Sequence, residues 1–330
     1  MTSRRSLLLG ALATAACNSA SSSSSSGPSN GGALFVAQSG DDANPATELR
    51  PVRTVSRALS LATSGVTLFL KGGVYRETIG PGIPSGSSWS SAVRVAAFAG
   101  QPVVIRPVGG VRVLDLQGPS YVIFDNLILD GAQVALDGVK ITAGAGGRSH
   151  HIRIQNSEVM NAPSQGVLIT EGADSNEFIN VRIHDNGRTD FGHGMYIGTD
   201  GNVVDNCDIY RNAGWGVHAY PHPNQLTVRS SRIYNNARTG ARGPGIGFYG
   251  GAGLRALGND ISGNAVGIAV DYGANGAELS GNRISGNRGE GIFIGGASGT
   301  VVEGNIVSGN GGGNFVDRGV GTRTGSNQFG

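Results

Sequence analysis

A short pattern that keeps returning constrains this chain more than anything else in it. A small residue or Asn is followed by any residue, then Ile or Val, two more residues, and usually Asn. It reads "CDIYRN" at 207–212, "SRIYNN" at 231–236, "NDISGN" at 259–264, "NRISGN" at 282–287 and "NIVSGN" at 305–310. Looser copies are "NLILDG" at 126–131, "SEVMNA" at 157–162 and "VRIHDN" at 181–186. From 162 onward successive copies end 23 to 28 residues apart. Each unit also carries a Gly followed by alternating residues: "GVKIT", "GVLIT", "GMYIG", "GVHAY", "GIGFY", "GIAVD" and "GIFIG", the first starting at 138 and the last at 291. Alternation with a period of two marks short strands with one buried face. One such unit cannot bury its apolar side alone, but stacked units build one continuous core. The expected fold is all-β, a parallel β-helix in which equal positions of successive coils lie in rows. Asn at the same turn of each coil is expected to form a hydrogen-bonded ladder.

The 57 Gly agree with a turn-rich β architecture, and no G-X-Y period points to collagen. A formal net charge of +2 and the lack of a basic run in the body exclude nucleic acid as the expected partner. The basic residues are Arg apart from Lys71 and Lys140. Residues 1–16 have the makeup of an export signal: Arg4-Arg5, an apolar run from Leu7, and small residues before Cys17. That run is too short to span a bilayer. The start resembles a twin-arginine export signal, and "ATAAC" resembles a lipoprotein cleavage site with Cys17 as the lipidated residue. Residues 17–32 are a Ser-rich tether, and 33–330 form the β-helix domain. The chain is expected outside the cytoplasm, secreted or held to the envelope by a lipid on Cys17, and as a monomer. Cys207, the remaining cysteine, occupies a slot of the Asn pattern and is expected to be buried packing.

At the N-terminal end the stretch from Ala33 to Glu77 gives a strand, a turn, a short helix and a strand. Thr54 is placed to cap the helix, with Val55, Ala58, Leu59 and Ala62 on one face, so that the helix covers the open end of the stack. This opening resembles that of right-handed parallel β-helix proteins of the pectate-lyase-like group, over about residues 33–321. The resemblance implies the handedness. It implies no single activity, because lyases, hydrolases, epimerases, adhesins and tailspikes share the fold.

Stacking the strands about 4.8 Å apart turns sequence into geometry. The outward row after each Gly reads Lys140, Leu168, Tyr196, His218, Gly247, Ala269, Phe293, and the next reads Thr142, Thr170, Gly198, Tyr220, Tyr249, Asp271, Gly295. Tyr196 and His218 are thus neighbours, and Tyr220 lies beside Tyr249. His193 and Trp215, just before their Gly, lie beside these rows. The turn-to-strand spacing is 4 residues before "GVHAY" but 8 and 9 in the coils on either side. The longer loops, "GRTDF" and "ARTGARGP", are expected to wall a cleft over the short coil, bearing Arg188, Asp190, Arg238 and Arg242.

Arg suits bidentate recognition of carboxylates, Trp and Tyr offer flat faces to sugar rings, and His and Tyr move protons. The expected substrate is therefore an acidic, uronic-acid polysaccharide, cleaved by β-elimination. Catalytic candidates are His218, Tyr196 and His193; substrate-binding candidates are Trp215, Tyr220, Tyr249, Arg188, Arg238, Arg242, Lys140 and His222. The plain alternatives are surface rings on a sheet for Tyr196 and His218, an apolar cover for Trp215 and a turn residue for His222. "WGVHAYPHP" resembles the aromatic-Gly…Pro-His motif of mannuronan C5-epimerases. Carried over, that motif puts Trp215 in the aromatic place and His222 in the His place; Tyr220 stands where the family has Asp. No cofactor is expected. A Ca2+ mechanism needs a cluster of Asp on the outward rows, where only Asp271 stands. The alternatives left open are a C5-epimerase, a glycoside hydrolase and a polysaccharide-binding surface lipoprotein without catalysis.

Overall fold

The computed structural model describes residues 32–80, 82–240 and 243–330. The residues expected to form the export signal and tether, up to residue 31 and including Cys17, and Arg242 of the second long loop lie outside the described residues. The strands wind into three sheets of 13, 11 and 9 strands whose pairings are all parallel, each strand bonded to its equivalent one coil away. The expected registers hold to the residue. Val167-Leu168-Ile169 pairs with Met195-Tyr196-Ile197, which pairs with Val217-His218-Ala219, and so on to Phe315-Val316-Asp317. The residues expected inside, from Val139 and Ile141 to Ile292 and Ile294, are fully buried. At the first end, Thr54 accepts a hydrogen bond from the Arg57 amide and caps the helix Val55–Leu61. The Glu77 carboxylate accepts from the Val55 and Ser56 amides as well, satisfying donors that a helix start leaves free. Val55, Ala58 and Leu59 turn inward onto the first strands. Among the described residues no helix is long and apolar enough to cross a membrane.

The Asn pattern divides into two positions with opposite demands. One bends the chain: Asn126, Asn156, Asn180, Asn206, Ser230, Gly258, Gly281 and Gly304 have φ of 51–64°. Gly takes that left-handed turn readily and Asn at small cost, which is why the row is Asn in the earlier coils and Gly in the last three, with Ser230 between them. The next residue points inward and, where it is Asn, forms a ladder, as Asn259 does with Asn282. A second ladder runs at the following turn, where Asn236 comes after Asn235 (φ 55°): its amide and Nδ2 donate to Asn264 Oδ1, Nδ2 also reaches Ile209 O, and its own Oδ1 accepts from Asn212. Cys207 sits in such an inward slot, buried, its Sγ near Phe178 O and Asp205 O. Burial pushes its thiol up to about 12. On the outer face of the 11-stranded sheet one row alternates in charge: Glu158, Arg182, Asp208, Arg232, Asp260, Arg283. Many Arg are thus accounted for by the stack itself. His184 and Tyr210 share this face, rings stacked at 4.6 Å, away from the candidate site as expected.

Candidate functional site

The outer face of the nine-stranded sheet gathers six rings from adjacent coils. Tyr196 and His218, partners in register, have ring centroids 5.1 Å apart. Trp215 lies 3.8 Å from His218 and 4.8 Å from Tyr249. Tyr220 and Tyr249, expected side by side, each pack on His218, at 5.6 and 5.8 Å. His193 closes the group, 4.8 Å from His218. Its Nε2 lies 3.1 Å from His218 Nδ1, and its Nδ1 accepts from the Trp215 amide at 3.1 Å.

Local sequence explains why the rings fit. Cβ atoms at Gly243 and Gly247 would stand 2.5 and 2.8 Å from the Trp215 indole, so both glycines make its berth. A Cβ at Gly214 would lie 2.5 Å from His193 Nδ1. The residues just before the strand Gly, whose direction the sequence leaves open, form a chain across four coils. Arg112 pairs with Asp137, and Asp137 accepts from the Gln165 amide. Gln165 Oε1 accepts from the His193 amide at 2.8 Å. Gln165 and Asp137 were not among the candidates, though they occupy the same row as His193.

Burial sets the electrostatics. It holds His193 down to about 4, and together with His193 it lowers His218 to about 3. Both rings are therefore neutral at pH 7. Burial raises Tyr196, with a further push from Tyr220, and takes Tyr249 up to about 12 with help from Asp271 and Tyr272.

The loops do not wall a cleft on two sides. The single Thr239 hydroxyl proton is shared between the Asp190 carboxylate and Ala213 O, so the two long loops meet over the turn of the short coil. They form one rim at the N-terminal ends of the strands, because the coil between them is too short to hold them apart. Of the expected wall arginines, Arg188 and Arg238 are not in the ring cluster. Arg238 bonds the carbonyls of Arg211 and Gly187, and Arg188 is exposed on the rim. Lys140 lies two strands from Tyr196, beyond Leu168. His222 is exposed past the far end of its strand, its Nδ1 against Gly250.

Two grooves flank the rings instead. One of about 460 Å³ runs along Tyr196, Thr170, Thr199 and Pro221 and carries Glu171, Asp174 and Asp200. The other, about 670 Å³, runs from Tyr249 over Ala269 to Phe293 and carries Asp271, Glu290, Arg288 and Arg318. Arg288 and Arg318 thus share a groove with Tyr249, and they sit in turns that the alternation does not mark. Among the described residues no group of three or more His, Cys, Asp or Glu is placed to hold a metal. A second ring cluster, Trp89, Tyr121, His150 and His151, lies on the 13-stranded sheet, with Tyr121 and His151 stacked at 4.6 Å.

The model of the right handed beta helix region matches residues 116–284, more than half of the chain and all six rings. The chain belongs to the right-handed β-helix family. No curated protein matches it. Among solved structures it is similar to an alginate lyase from Paenibacillus sp. strain FPU-7, at 17% identity and TM-score 0.62, covering 83% of this chain and 97% of that one. It is also similar to the pectate lyase Pel9A, at 16% identity and TM-score 0.59, covering 90% and 78%. The A-module of a mannuronan C-5 epimerase from Azotobacter vinelandii is 19% identical with TM-score 0.54, covering 83% and 89%. At these identities the β-helix and its handedness are shared; the chemistry rests on this chain's own residues.

Proposed function

We propose that this β-helix is an exported enzyme that cleaves a uronic-acid polysaccharide by β-elimination, with Tyr196 and His218 as the pair that serves the reacting sugar. The observation that carries the reading is the ring cluster itself: the stack does not require rings at these outward positions, and six stand together on adjacent coils. Trp215, Tyr220 and Tyr249 offer faces to sugar rings, and Arg288 and Arg318 supply charge for carboxylates along one groove. In the reaction a base takes the C5 proton, acidified once the neighbouring carboxylate is neutralised. The C4–O4 bond then breaks as a C4–C5 double bond forms. Export is supported by Arg4-Arg5 and the apolar run before Cys17.

One observation favours a second reading. Glu171, Asp174 and Asp200 line the groove beside Tyr196, and a glycoside hydrolase works with two carboxylates across the bond. Both readings are tested by incubating the purified chain with a panel of polyuronates and neutral glycans. Elimination gives ultraviolet-absorbing unsaturated uronate, and hydrolysis gives new reducing ends without it. Tyr196→Phe is expected to lower the elimination rate by about 10²–10⁴-fold, the range of a lost acid–base group. Unsaturated product from a Tyr196→Phe/His218→Gln chain at the wild-type rate would overturn the site. Deuterium uptake at C5 without cleavage would make it an epimerase, and binding without reaction a non-catalytic lipoprotein.

A further inference from the structure

The donors and acceptors around His193 leave one arrangement of protons. The Trp215 amide donates to His193 Nδ1. A backbone amide has no acceptor role, so this nitrogen carries a lone pair. The amide itself is held in place, because Trp215 O accepts from the Gly194 amide at 2.8 Å in the sheet ladder. A neutral imidazole keeps its proton on the other nitrogen, so His193 is protonated at Nε2. That Nε2–H faces His218 Nδ1 at 3.1 Å, and His218 Nδ1 must accept. By the same rule His218 carries its proton on Nε2. This last atom is buried and has no hydrogen-bond partner among the described residues. A buried donor left unpaired costs about 1–3 kcal/mol, so the arrangement awaits an acceptor.

We propose that His193 is a positioning residue that locks His218 as a neutral hydrogen-bond donor, its Nε2–H reserved for a carboxylate oxygen of a uronate, so that His218 is not the base. The ligand class rests on the polyuronate reading above; the lock does not. The burial that keeps both rings uncharged supports it. To use His218 as a base its proton would have to move to Nδ1. Two N–H groups would then oppose each other, unless His193 moved its own proton against the Trp215 amide. A neutral donor suits the chemistry, because charge grows on the carboxylate as C5 loses its proton. His218 Nε2 is buried, so the side chains that cover it have to shift for that oxygen to reach it. Proton transfer then falls to Tyr196. Burial holds Tyr196 as a phenol, so its proton first passes to solvent; the phenolate oxygen then takes the C5 proton, and the C5–H electron pair becomes the C4–C5 double bond. The C4–O4 bond breaks, and O4 leaves with the proton returned by the Tyr196 hydroxyl. His218 keeps its proton throughout.

The test is a long-range ¹H–¹⁵N spectrum of the histidine rings in the full chain. The wild type is expected to show His193 and His218 as Nε2–H tautomers that do not titrate between about pH 5 and 8. A proton on His218 Nδ1, or titration of either ring in that window, overturns the lock. Two variants test the donor role on a polyuronate that the wild type cleaves. His193→Gln keeps an N–H facing His218 and should hold kcat within about tenfold. His193→Glu offers only acceptors, should move the His218 proton to Nδ1, and should lower kcat by about 10²–10³-fold, as when one donor to a developing anion is lost. A Glu variant with the moved proton and wild-type kcat overturns the donor role. If no polyuronate is cleaved, the substrate reading and the donor role fall together, and the wild-type spectrum alone decides the lock.

Discussion

Lowering the pH from 7 to 5 is expected to destabilise the wild-type chain by about 2–4 kcal/mol more than a chain carrying His193→Gln and His218→Gln. In the folded chain His193 lies at about 4 and His218 at about 3; unfolded, each returns to about 6.5. Between those values the unfolded chain binds more protons than the folded one, so stability rises with pH across the window. It is complete above about 6.5, and is lost as pH falls toward 4 and then 3. At pH 5 each unfolded imidazole is nearly fully protonated while its folded counterpart is not. A gap of about 1.5 pH units at about 1.4 kcal/mol each gives about 2 kcal/mol per ring, hence about 4 for two as a ceiling. Denaturant midpoints at pH 7, 6 and 5, followed by near-ultraviolet circular dichroism, measure the effect. Carboxylates and the other histidines titrate in both chains, and the difference between chains cancels them. Equal losses in the two chains would refute the neutral pair. A smaller loss in the wild type would mean that the pair is charged when folded.

Two further substitutions probe the scaffold and the ring berth. Asn236→Ala removes the partner of Ile209 O and the acceptor for the Asn212 amide and Nδ2, all inside the stack. It should cost about 3–5 kcal/mol, with hydrogen exchange rising first in the coils from about 209 to 264, since each coil leans only on its neighbours. Gly247→Ala puts a Cβ 2.8 Å from Trp215 Cζ3 and 2.9 Å from Cε3. The indole must leave its berth, at about 1–3 kcal/mol, and a red-shifted Trp215 emission, isolated by difference from Trp215→Phe, should report it; an unshifted spectrum would show that the berth is not filled by the indole.

The stack was legible because its rules are local. Side chains alternate, equal positions must meet, and Val217 with Ala219 inside leaves His218 outside. That register alone brought Tyr196 to His218. Loop length was a poorer guide, since it says how much chain leaves a coil and not where it goes; the hydrogen bond from Thr239 to Asp190 joins into one rim what the spacing of 8 and 9 residues suggested were two walls. The Asn pattern also hid a division. The turn formers and the ladder formers are adjacent in sequence, as in Gly258-Asn259, and their tasks separate only when φ is known.

The direction of His193 was beyond the pattern for a physical reason. It stands where the strand bends before Gly194, so alternation no longer fixes which way it faces. What turns it toward the other rings is Gln165 on its amide, the Trp215 amide on its Nδ1, and the missing side chain at Gly214. Gln165 comes from the coil on one side and Gly214-Trp215 from the coil on the other, and none is marked by the repeat. Yet these contacts decide the chemistry of a neighbour the repeat did place. His218 faces outward because of its register, but whether it gives or takes a hydrogen bond follows from a main-chain amide acting through His193. The glycines around "GWGVHAY" are part of the same arrangement: three of them, Gly214, Gly243 and Gly247, leave the volume that two imidazoles and an indole fill. A β-helix that needed only to stand would gain nothing from keeping those volumes open.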